Sequence, residues 1–302
     1  MKKLMVLILS FTLLLTIGTG TLMAQDDGEV LAEIDTTLTT YFARVQDNPM
    51  VQVGNMAQIW YVEENLLDEI EDSNLPIIST NFVNGGGRDS ADDYSYFEDN
   101  ITSREGFYQY PDNTLTVQKL NGQEVREAIE YFARNYNQID PEEESEQFLV
   151  KIEDVADYEH HHVEGIEYQY DITKPQGERL VYARYNGEEL TEDMEFLVAM
   201  NSYRATSDTP NFNEDNIVLE TDKNNVDIML EYINEKDGEI PELTHNWSLA
   251  PIETEGQILF RTNPNAVEYM KNAPEPVDHI EHVGEYSGYA IMEFDLSVGS
   301  LK

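Results

Sequence analysis

The sequence has no cysteine and few positive charges. Without cysteine the chain cannot form disulfides, thiolate zinc sites or a cysteine nucleophile, and it cannot be lipidated on an N-terminal cysteine. Only 18 lysines and arginines face 60 aspartates and glutamates, which gives a formal net charge of −42. A chain this acidic lacks the basic surface that binds a nucleic-acid backbone or anionic lipid. We therefore expect no nucleic-acid polymer as a partner.

Long apolar runs are also scarce, and the clearest one lies at the N-terminus. Lys2 and Lys3 precede the apolar residues 4–17, and Ala24 comes just before an acidic stretch. A basic segment, an apolar segment and a small residue in this order are typical of a secretory signal peptide. We predict a signal peptide at 1–24 and a mature domain at 25–302, secreted to the periplasm or the exterior, with no stable membrane insertion after cleavage. The alternative is an uncleaved anchor.

The acidic composition also suggests the ionic environment of the protein. A mature chain with this charge must hydrate a surface that repels itself. Salt at 1 M screens such repulsion over ~3 Å. We hypothesise a halophilic source, and a mature protein that is most stable at low ionic strength would contradict that hypothesis.

The hydrophobic pattern predicts one α/β domain. Forty per cent of the residues are hydrophobic and 10% aromatic, enough to build a core. Apolar residues at helical spacing predict helices at about 51–71, along 125–136, along 226–233, and after Pro264. Runs typical of strands lie at 75–78, 114–117, 166–172, 180–185, 196–200, 247–252 and 258–260, with Asn-Gly turns at 121–122 and 186–187. The acidic stretch 141–146 is expected to be a solvated loop.

Several short segments occur in an order that is itself informative. They are YFARVQD at 41–47, VQVGNMAQ at 51–58, NGGGR at 84–88, YPDNTL at 110–115, FARNYNQIDP at 132–141, GIEYQ at 165–169, NSYRA at 201–205 and NWSLAP at 246–251. In this order they resemble the C-terminal domain of the bacterial 5'-nucleotidase family. Within the family, the bifunctional 2',3'-cyclic-nucleotide 2'-phosphodiesterase/3'-nucleotidases are the most similar branch.

The resemblance implies a single layered domain (α/β/β/α) that holds a nucleotide or nucleoside. In the family, two aromatic rings enclose the base, and polar and arginine groups from glycine loops contact the phosphate or ribose. Hydrolysis belongs to a separate N-terminal metallophosphoesterase domain with two metal ions. A separate metallophosphoesterase chain is therefore a further partner that the resemblance implies.

The motifs of that catalytic domain are missing from the sequence. Two-metal phosphoester hydrolysis needs a cage of Asp, His and Asn ligands. Neither D-x-H nor G-N-H-[DE] occurs, and Gly54-Asn55 is followed by Met56. We therefore expect no catalytic residue and no metal ligand in this chain, with divalent metals only in a missing or separate catalytic domain. Alone, the chain is not expected to hydrolyse a nucleotide, although the family resemblance is to hydrolases.

The glycine loop contains the candidate phosphate contacts. Glycines let the backbone approach a ligand closely, and a guanidinium matches phosphate oxygens in a fork. The candidates are Asn84, Gly86, Gly87 and Arg88. The alternative is a surface loop with a solvated arginine.

Three further positions are implied by the resemblance to bind the base. Tyr110 and Tyr203 match the two stacking rings, and Asn113 matches a polar contact. Tyr108 is an alternative for the first ring, because Asp112 resembles an insertion in the turn. A base stacked on an aromatic side chain gains ~1–3 kcal/mol.

The loop that follows Tyr203 departs from the family pattern. The family has a run of glycines there, whereas residues 206–210 read TSDTP. Side chains and a proline in these positions are expected to stiffen the loop or crowd the pocket. An alternative is that Asp208 contacts ribose hydroxyls.

A histidine triplet, His160 to His162, raises the question of a metal site. In an extended segment, His160 and His162 share one face and offer two imidazoles to zinc or nickel. The sequence identifies no third ligand. A polar, exposed strand or turn is the favoured interpretation.

Three functions remain open at the level of sequence. The first is an exported nucleotide- or nucleoside-binding domain without independent catalysis. The second is the substrate-binding subunit of a two-chain nucleotidase or phosphoesterase. The third is a secreted scaffold that has lost the pocket, which the 206–210 loop favours.

Overall fold

A computed structural model describes residues 29–83, 94–151 and 157–299. The predicted signal peptide at 1–24 lies outside these ranges. The strands are β1 Ala32–Glu33, β2 Leu38–Thr39, β3 Ile77–Phe82, β4 Tyr96–Phe97, β5 Asn100–Ile101, β6 Thr114–Asn121, β7 Gln147–Phe148, β8 His161–Glu164, β9 Glu167–Tyr170, β10 Leu180–Tyr185, β11 Glu188–Glu189, β12 Glu195–Asn201, β13 Ile217–Asn224, β14 Trp247–Leu249, β15 Ile258–Thr262, β16 Ile280–Tyr286 and β17 Tyr289–Phe294. The helices are α1 Pro49–Asn65, α2 Arg104–Phe107, α3 Gly122–Phe132, α4 Ser202–Ala205, α5 Asn225–Glu235 and α6 Ala266–Tyr269.

The start of α1 is fixed by local sequence. The side chain of Asn48 accepts hydrogen bonds from two backbone N–H groups of the first turn, at 3.1 and 3.3 Å. Pro49 follows at the first helical position, where its fixed φ suits a helix. The sequence predicted this helix at about 51–71, and the structure ends it earlier, at Asn65.

Five strands form a mixed central sheet in the order β13-β6-β12-β3-β8. β12 and β3 are parallel, so their carboxyl ends lie at the same edge of the sheet. β6 runs antiparallel to β12 and begins at that edge, with Leu115 opposite Asn201. The segments that leave β3 and β12 and enter β6 are therefore neighbours in space.

The central sheet separates two hydrophobic cores. Along β12, Leu197 and Ala199 face the core built with α1 and α5, whereas Phe196, Val198 and Met200 face the other core. This second core also contains residues of α3, β9 and β15. Burial of both faces explains the continuous apolar run of β12, which is typical of a central strand. The mixed α/β class predicted from sequence is confirmed.

Smaller sheets complete the fold. They have the strand orders β11-β10-β9-β14 and β16-β17-β15-β7, with two-stranded pairs β1-β5 and β2-β4. β9 pairs parallel with β14, and β7 pairs parallel with β15. Strands far apart in the chain therefore meet in each four-stranded sheet.

The two predicted Asn-Gly turns have different outcomes. Asn186 and Gly187 have positive φ of 51° and 82° and join β10 to β11, as a two-residue hairpin requires. The turn predicted at 121–122 is wrong, because Asn121 ends β6 and directly caps α3. Its side chain accepts the backbone N–H of Glu124 at 3.0 Å, and the Glu124 carboxylate accepts the Asn121 N–H at 2.8 Å.

Candidate functional site

A cavity of about 220 Å³ lies at the edge of the central sheet where β3 and β12 end. The carboxyl ends of strands are the usual place for ligands in open α/β sheets. Phe82 is the last residue of β3, and Asn201 is the last residue of β12. The lining residues are Phe82, Tyr110, Asn113, Tyr158, Asn201, Tyr203 and Arg204.

Three residues that the sequence predicted for base binding meet in this cavity. Tyr110, Asn113 and Tyr203 are separated by up to 93 positions in the chain, yet all three line it. The backbone of Asn113 is fixed, since its carbonyl accepts the N–H of Asn225 at 2.9 Å. Whether these residues bind a ligand remains a prediction.

The predicted phosphate contacts Asn84, Gly86, Gly87 and Arg88 lie outside the described residues. Phe82, two positions before Asn84 in the sequence, lines the cavity.

The structure favours Tyr110 over Tyr108 as the first of the two stacking rings. Tyr108 is 1% exposed and belongs to the core, where its ring packs against Phe82 at a centroid distance of 5.0 Å. Tyr110 is 37% exposed and lines the cavity. Tyr110 is therefore the ring that a ligand in this cavity would meet.

The aromatic rings of the cavity form a connected group. The Tyr110 ring lies 5.7 Å from Phe82 and 5.9 Å from Tyr158, between centroids. Tyr158 lies 5.8 Å from Tyr203, with an angle of 86° between the two rings. Tyr203 is 54% exposed. Partial burial and the neighbouring Tyr158 raise the pKa of the Tyr203 hydroxyl, so it stays protonated at neutral pH.

Arg204 is a site residue that sequence reasoning did not single out. It is 1% exposed and donates from Nη1 to Glu159 (3.3 Å), Ser207 (3.1 Å) and Thr209 (2.9 Å). Burial lowers the pKa of this guanidinium, and the nearby Glu159 carboxylate opposes the shift. Arg204 follows Tyr203 in the single turn of α4, where the arginine is buried and the tyrosine is exposed.

The chain offered only weak signals for the other unpredicted lining residues. Phe82 is an aromatic residue four positions after the strand predicted at 75–78 and two positions before the glycine loop that begins at Asn84. Arg204 and Asn201 belong to the NSYRA segment that the family resemblance already marked. Tyr158 lies in a short 3-10 turn, Asp157–Glu159, and no pattern distinguished it from the other tyrosines.

The 206–210 loop does not crowd the cavity. Ser207 Oγ donates to the Arg204 carbonyl at 2.9 Å, and Thr209 is buried against the Arg204 guanidinium. None of these five described residues lines the cavity, and Asp208 is exposed to solvent. Of the two effects expected of this loop, crowding of the pocket is therefore wrong, because the Ser207 and Thr209 hydroxyls fold back onto Arg204. Stiffening of the loop stays a prediction.

The sequence favoured an exposed strand or turn for the histidine triplet, and this prediction is wrong. His160, His161 and His162 are 4%, 3% and 4% exposed, and the last two belong to β8. Burial lowers the pKa of all three, that of His162 to about 3. His162 Nε2 donates to the Ala43 carbonyl at 2.8 Å, and His161 lies between Thr80 and the Tyr158 carbonyl. Neighbours from other elements bury this polar segment, which the local pattern could not show.

Two further properties bear on the candidate chemistry. Within the described ranges, no group of three or more His, Asp or Glu side chains is arranged to hold a metal ion. Among the helices of the same ranges, none has the length and apolar character needed to cross a membrane.

A larger cavity of about 540 Å³ lies beside α3, and its acidic lining serves the fold. The Glu130 carboxylate accepts the backbone N–H groups of Gly177, Arg179 and Leu180, at 2.6–3.1 Å. The Glu127 carboxylate accepts from the Asn211 side chain at 2.9 Å. These carboxylates hold two loops against α3.

Comparison with known proteins agrees with the fold. A model of the family "5'-nucleotidase, C-terminal domain" matches residues 31–213. The trifunctional nucleotide phosphoesterase protein YfkN of Bacillus subtilis is 30% identical over 286 residues, covering 88% of this chain and 19% of YfkN. The 2',3'-cyclic-nucleotide 2'-phosphodiesterase/3'-nucleotidase of Haemophilus influenzae is 31% identical over 283 residues, covering 85% of this chain and 43% of that protein.

Among solved structures, the 5'-nucleotidase precursor of Thermus thermophilus has a TM-score of 0.52 at 18% identity. The match covers 73% of this chain and 39% of that chain. The fold and the matched sequence define a nucleotidase-type C-terminal domain, and the chain belongs to the 5'-nucleotidase C-terminal domain family. It spans less than half the length of these curated relatives.

Proposed function

We propose that this protein is an exported domain that binds a nucleotide or nucleoside by its base and does not hydrolyse it alone. The observation that supports this most directly is the cavity in which Tyr110, Asn113 and Tyr203 meet. Aromatic faces favour a flat ring system, and an amide offers a donor and an acceptor to its edge. The related enzymes, by their names, act on nucleotides.

The size and charge of the cavity favour the base over the phosphate. About 220 Å³ is below the ~300–1,000 Å³ typical of sites that enclose a whole drug-sized ligand. Arg204, the cation in the lining, already donates to Glu159, Ser207, Thr209 and the Tyr158 carbonyl. The described walls therefore suit an uncharged ring, with ribose and phosphate extending outside.

The expected affinity is modest. Two stacking rings contribute ~2–6 kcal/mol in total, at ~1–3 kcal/mol each. Such free energies correspond to dissociation constants from above millimolar to about tens of micromolar. An additional contact, for example with the phosphate, would tighten binding further.

Hydrolysis, in this proposal, belongs to a missing or separate metallophosphoesterase domain. The sequence has neither D-x-H nor G-N-H-[DE], which would supply ligands for two metals. The second role that the comparisons favour is the substrate-binding part of a phosphoesterase, because the chain matches only 19% and 43% of two phosphoesterases. In both roles the purified chain leaves 3'-AMP intact when Mg²⁺, Mn²⁺ or Zn²⁺ is added. Metal-dependent release of phosphate would contradict this.

Export is part of the same proposal and rests on residues 1–24. We expect protein recovered from the periplasm or medium to begin at Gln25, as measured by intact mass. Recovery of the full-length mass from the membrane fraction would instead support an uncleaved anchor.

Calorimetric titration tests the binding role. Adenosine, 3'-AMP, 5'-AMP and 2',3'-cyclic AMP are titrated into the mature protein in low and in molar salt. We expect saturable binding that Tyr203→Ala and Tyr110→Ala each weaken by ~5–100-fold, the equivalent of one stacking contact. Tyr286→Ala is the matched control, because Tyr286 is 75% exposed on the β16–β17 hairpin and does not line the cavity. No heat with any ligand from a folded protein would overturn the proposal.

A further inference from the structure

Tyr158 is the ring that connects the two exposed rings of the cavity. Its centroid lies 5.9 Å from Tyr110 and 5.8 Å from Tyr203, and its plane is nearly perpendicular to each, at 78° and 86°. Edge-to-face contacts of this kind fix the relative placement of aromatic rings. The position of Tyr158 therefore influences both faces that a flat ligand would meet.

The backbone carbonyl of Tyr158 accepts two hydrogen bonds from buried side chains. Arg204 Nη2 donates at 2.8 Å, and His161 Nε2 lies at 3.1 Å. Because a carbonyl oxygen only accepts, the proton of His161 must be on Nε2. Two donors from different elements thus converge on one backbone atom.

His161 is itself held by contacts with Thr80, Tyr158 and Phe132. Its Nδ1 lies 3.0 Å from Thr80 Oγ1, and in the neutral ring this nitrogen accepts the hydroxyl proton. The ring stacks on Phe132 with a centroid distance of 4.8 Å and an angle of 14°. Burial keeps the pKa of His161 well below its usual value, so the ring is neutral at neutral pH. The donor to Tyr158 therefore has one fixed position.

Arg204 connects the same carbonyl to Tyr203. The guanidinium is fully buried, and its Glu159, Ser207 and Thr209 partners offset the cost of desolvating the charge. Arg204 follows Tyr203 in α4. One side chain thus ties the turn that presents Tyr203 to the turn that presents Tyr158.

We propose that His161 and Arg204 are positioning residues of the base site, acting through the Tyr158 carbonyl. They hold the Tyr158 ring against Tyr110 and Tyr203, so that the cavity lined by the three rings is formed before a ligand arrives. Preorganisation of this kind raises affinity because ordering is not paid for on binding. The inference rests on the proposed function, and it gives His161, the central residue of the histidine triplet, a role that involves no metal.

Matched variants of two neighbouring histidines test the inference. His161→Phe keeps the ring that stacks on Phe132 but removes the donor, whereas His161→Gln keeps a donor near the Nε2 position. His162→Phe is the control, since His162 is equally buried and donates to the Ala43 carbonyl, and it does not line the cavity. Adenosine affinity is measured by calorimetry, and thermal unfolding by circular dichroism.

We expect H161F to bind adenosine ~5–10-fold more weakly than wild type, as for one lost hydrogen bond. H161Q should bind within ~3-fold of wild type, and H162F should lose stability without losing affinity. Equal affinity losses in H161F and H162F would overturn the inference, because general loosening would then explain both.

A second variant keeps the inference testable if H161F does not fold. Tyr158→Ala removes the half-buried ring that the two donors position, and we expect it to weaken adenosine binding by at least ~5-fold. Wild-type affinity in Y158A, together with lost affinity in Tyr203→Ala, would overturn the inference and leave the proposed function standing. Absence of adenosine binding by the wild type would instead overturn the proposed function itself.

Discussion

At the scale of single residues, the molecule contains buried ionisable groups whose contributions to stability change with pH in opposite directions. Burial lowers the pKa of His162 to about 3, so the folded state keeps this ring neutral. Its contribution is fully present above the unfolded pKa of 6.5 and is lost as the pH falls towards 3.

Glu164 behaves in the opposite way, because burial and the nearby Asp47 raise its pKa to about 7. Its contribution is fully present below the unfolded pKa of 4.5 and is lost as the pH rises through 7.

Glu164→Gln tests the sign of this effect. Glutamine stays neutral and keeps an acceptor for Thr244 Oγ1, which in the wild type donates to Glu164 at 3.0 Å. We expect wild type to lose stability relative to E164Q by on the order of 3 kcal/mol between about pH 4.5 and about pH 8. Urea unfolding of both proteins across that range measures the difference, and the shared histidine contribution cancels. A difference that does not change with pH would show that Glu164 titrates normally.

At the scale of secondary-structure elements, helix starts in this fold depend on asparagine side chains. Asn48, Asn121 and Asn201 cap α1, α3 and α4 with side-chain oxygens that accept backbone N–H groups. Asn224 precedes α5 but makes no such hydrogen bond within the described part of the chain. Asn121 also completes a capping box with Glu124.

Asn121→Ala should therefore cost more than Asn224→Ala. We expect a loss of ~1 kcal/mol in the free energy of unfolding for N121A and a smaller loss for N224A. Urea denaturation of the two variants beside wild type provides the comparison. If the two substitutions cost the same, the capping box does not stabilise α3.

Periodic elements were predictable from the sequence, whereas their neighbours were not. The face of α3 and the apolar run of β12 follow from local spacing, and both lie where the pattern placed them. The β16–β17 hairpin was not predicted. Most side chains of β16 are exposed, so no alternation of buried and exposed residues marks this strand. The capping role of Asn121 was missed because an Asn-Gly pair is also typical of a turn.

The candidate site shows the same limit. Tyr110, Asn113 and Tyr203 were available from the family resemblance, and the structure brings them into one cavity. Tyr158 and the burial of the histidines were not available, because they depend on packing between β3, β8 and α3. Hydrogen bonds such as that from Arg204 to the Tyr158 carbonyl span 46 positions and have no local signal.

At the scale of the whole molecule, charge is the dominant feature. Sixty acidic residues face 18 basic ones, and several cations are already paired, such as the partly buried Lys119 with Asp72 and Glu195. The remaining carboxylates repel one another across the surface. Folding brings them closer together, so screening is expected to favour the folded state.

Salt should therefore raise the thermal stability of the mature protein. We expect the unfolding midpoint to rise by roughly 3–8 °C between ~0.05 M and ~1 M KCl, with most of the rise at the lower concentrations, where the Debye length changes most. Differential scanning calorimetry across a KCl series measures it. A midpoint that falls with salt would contradict the halophilic hypothesis.

The central claim is that the rings of Tyr110 and Tyr203, in the cavity where β3 and β12 end, bind a nucleoside base. NMR of ¹³C-labelled tyrosine tests it most directly. Adenosine titrated into the mature protein should shift the ring resonances of Tyr110 and Tyr203, assigned with Tyr→Phe variants, because a stacked base imposes a ring current. Tyr286, exposed on the β16–β17 hairpin, should not move. Unchanged resonances of Tyr110 and Tyr203 at saturating adenosine would contradict the account.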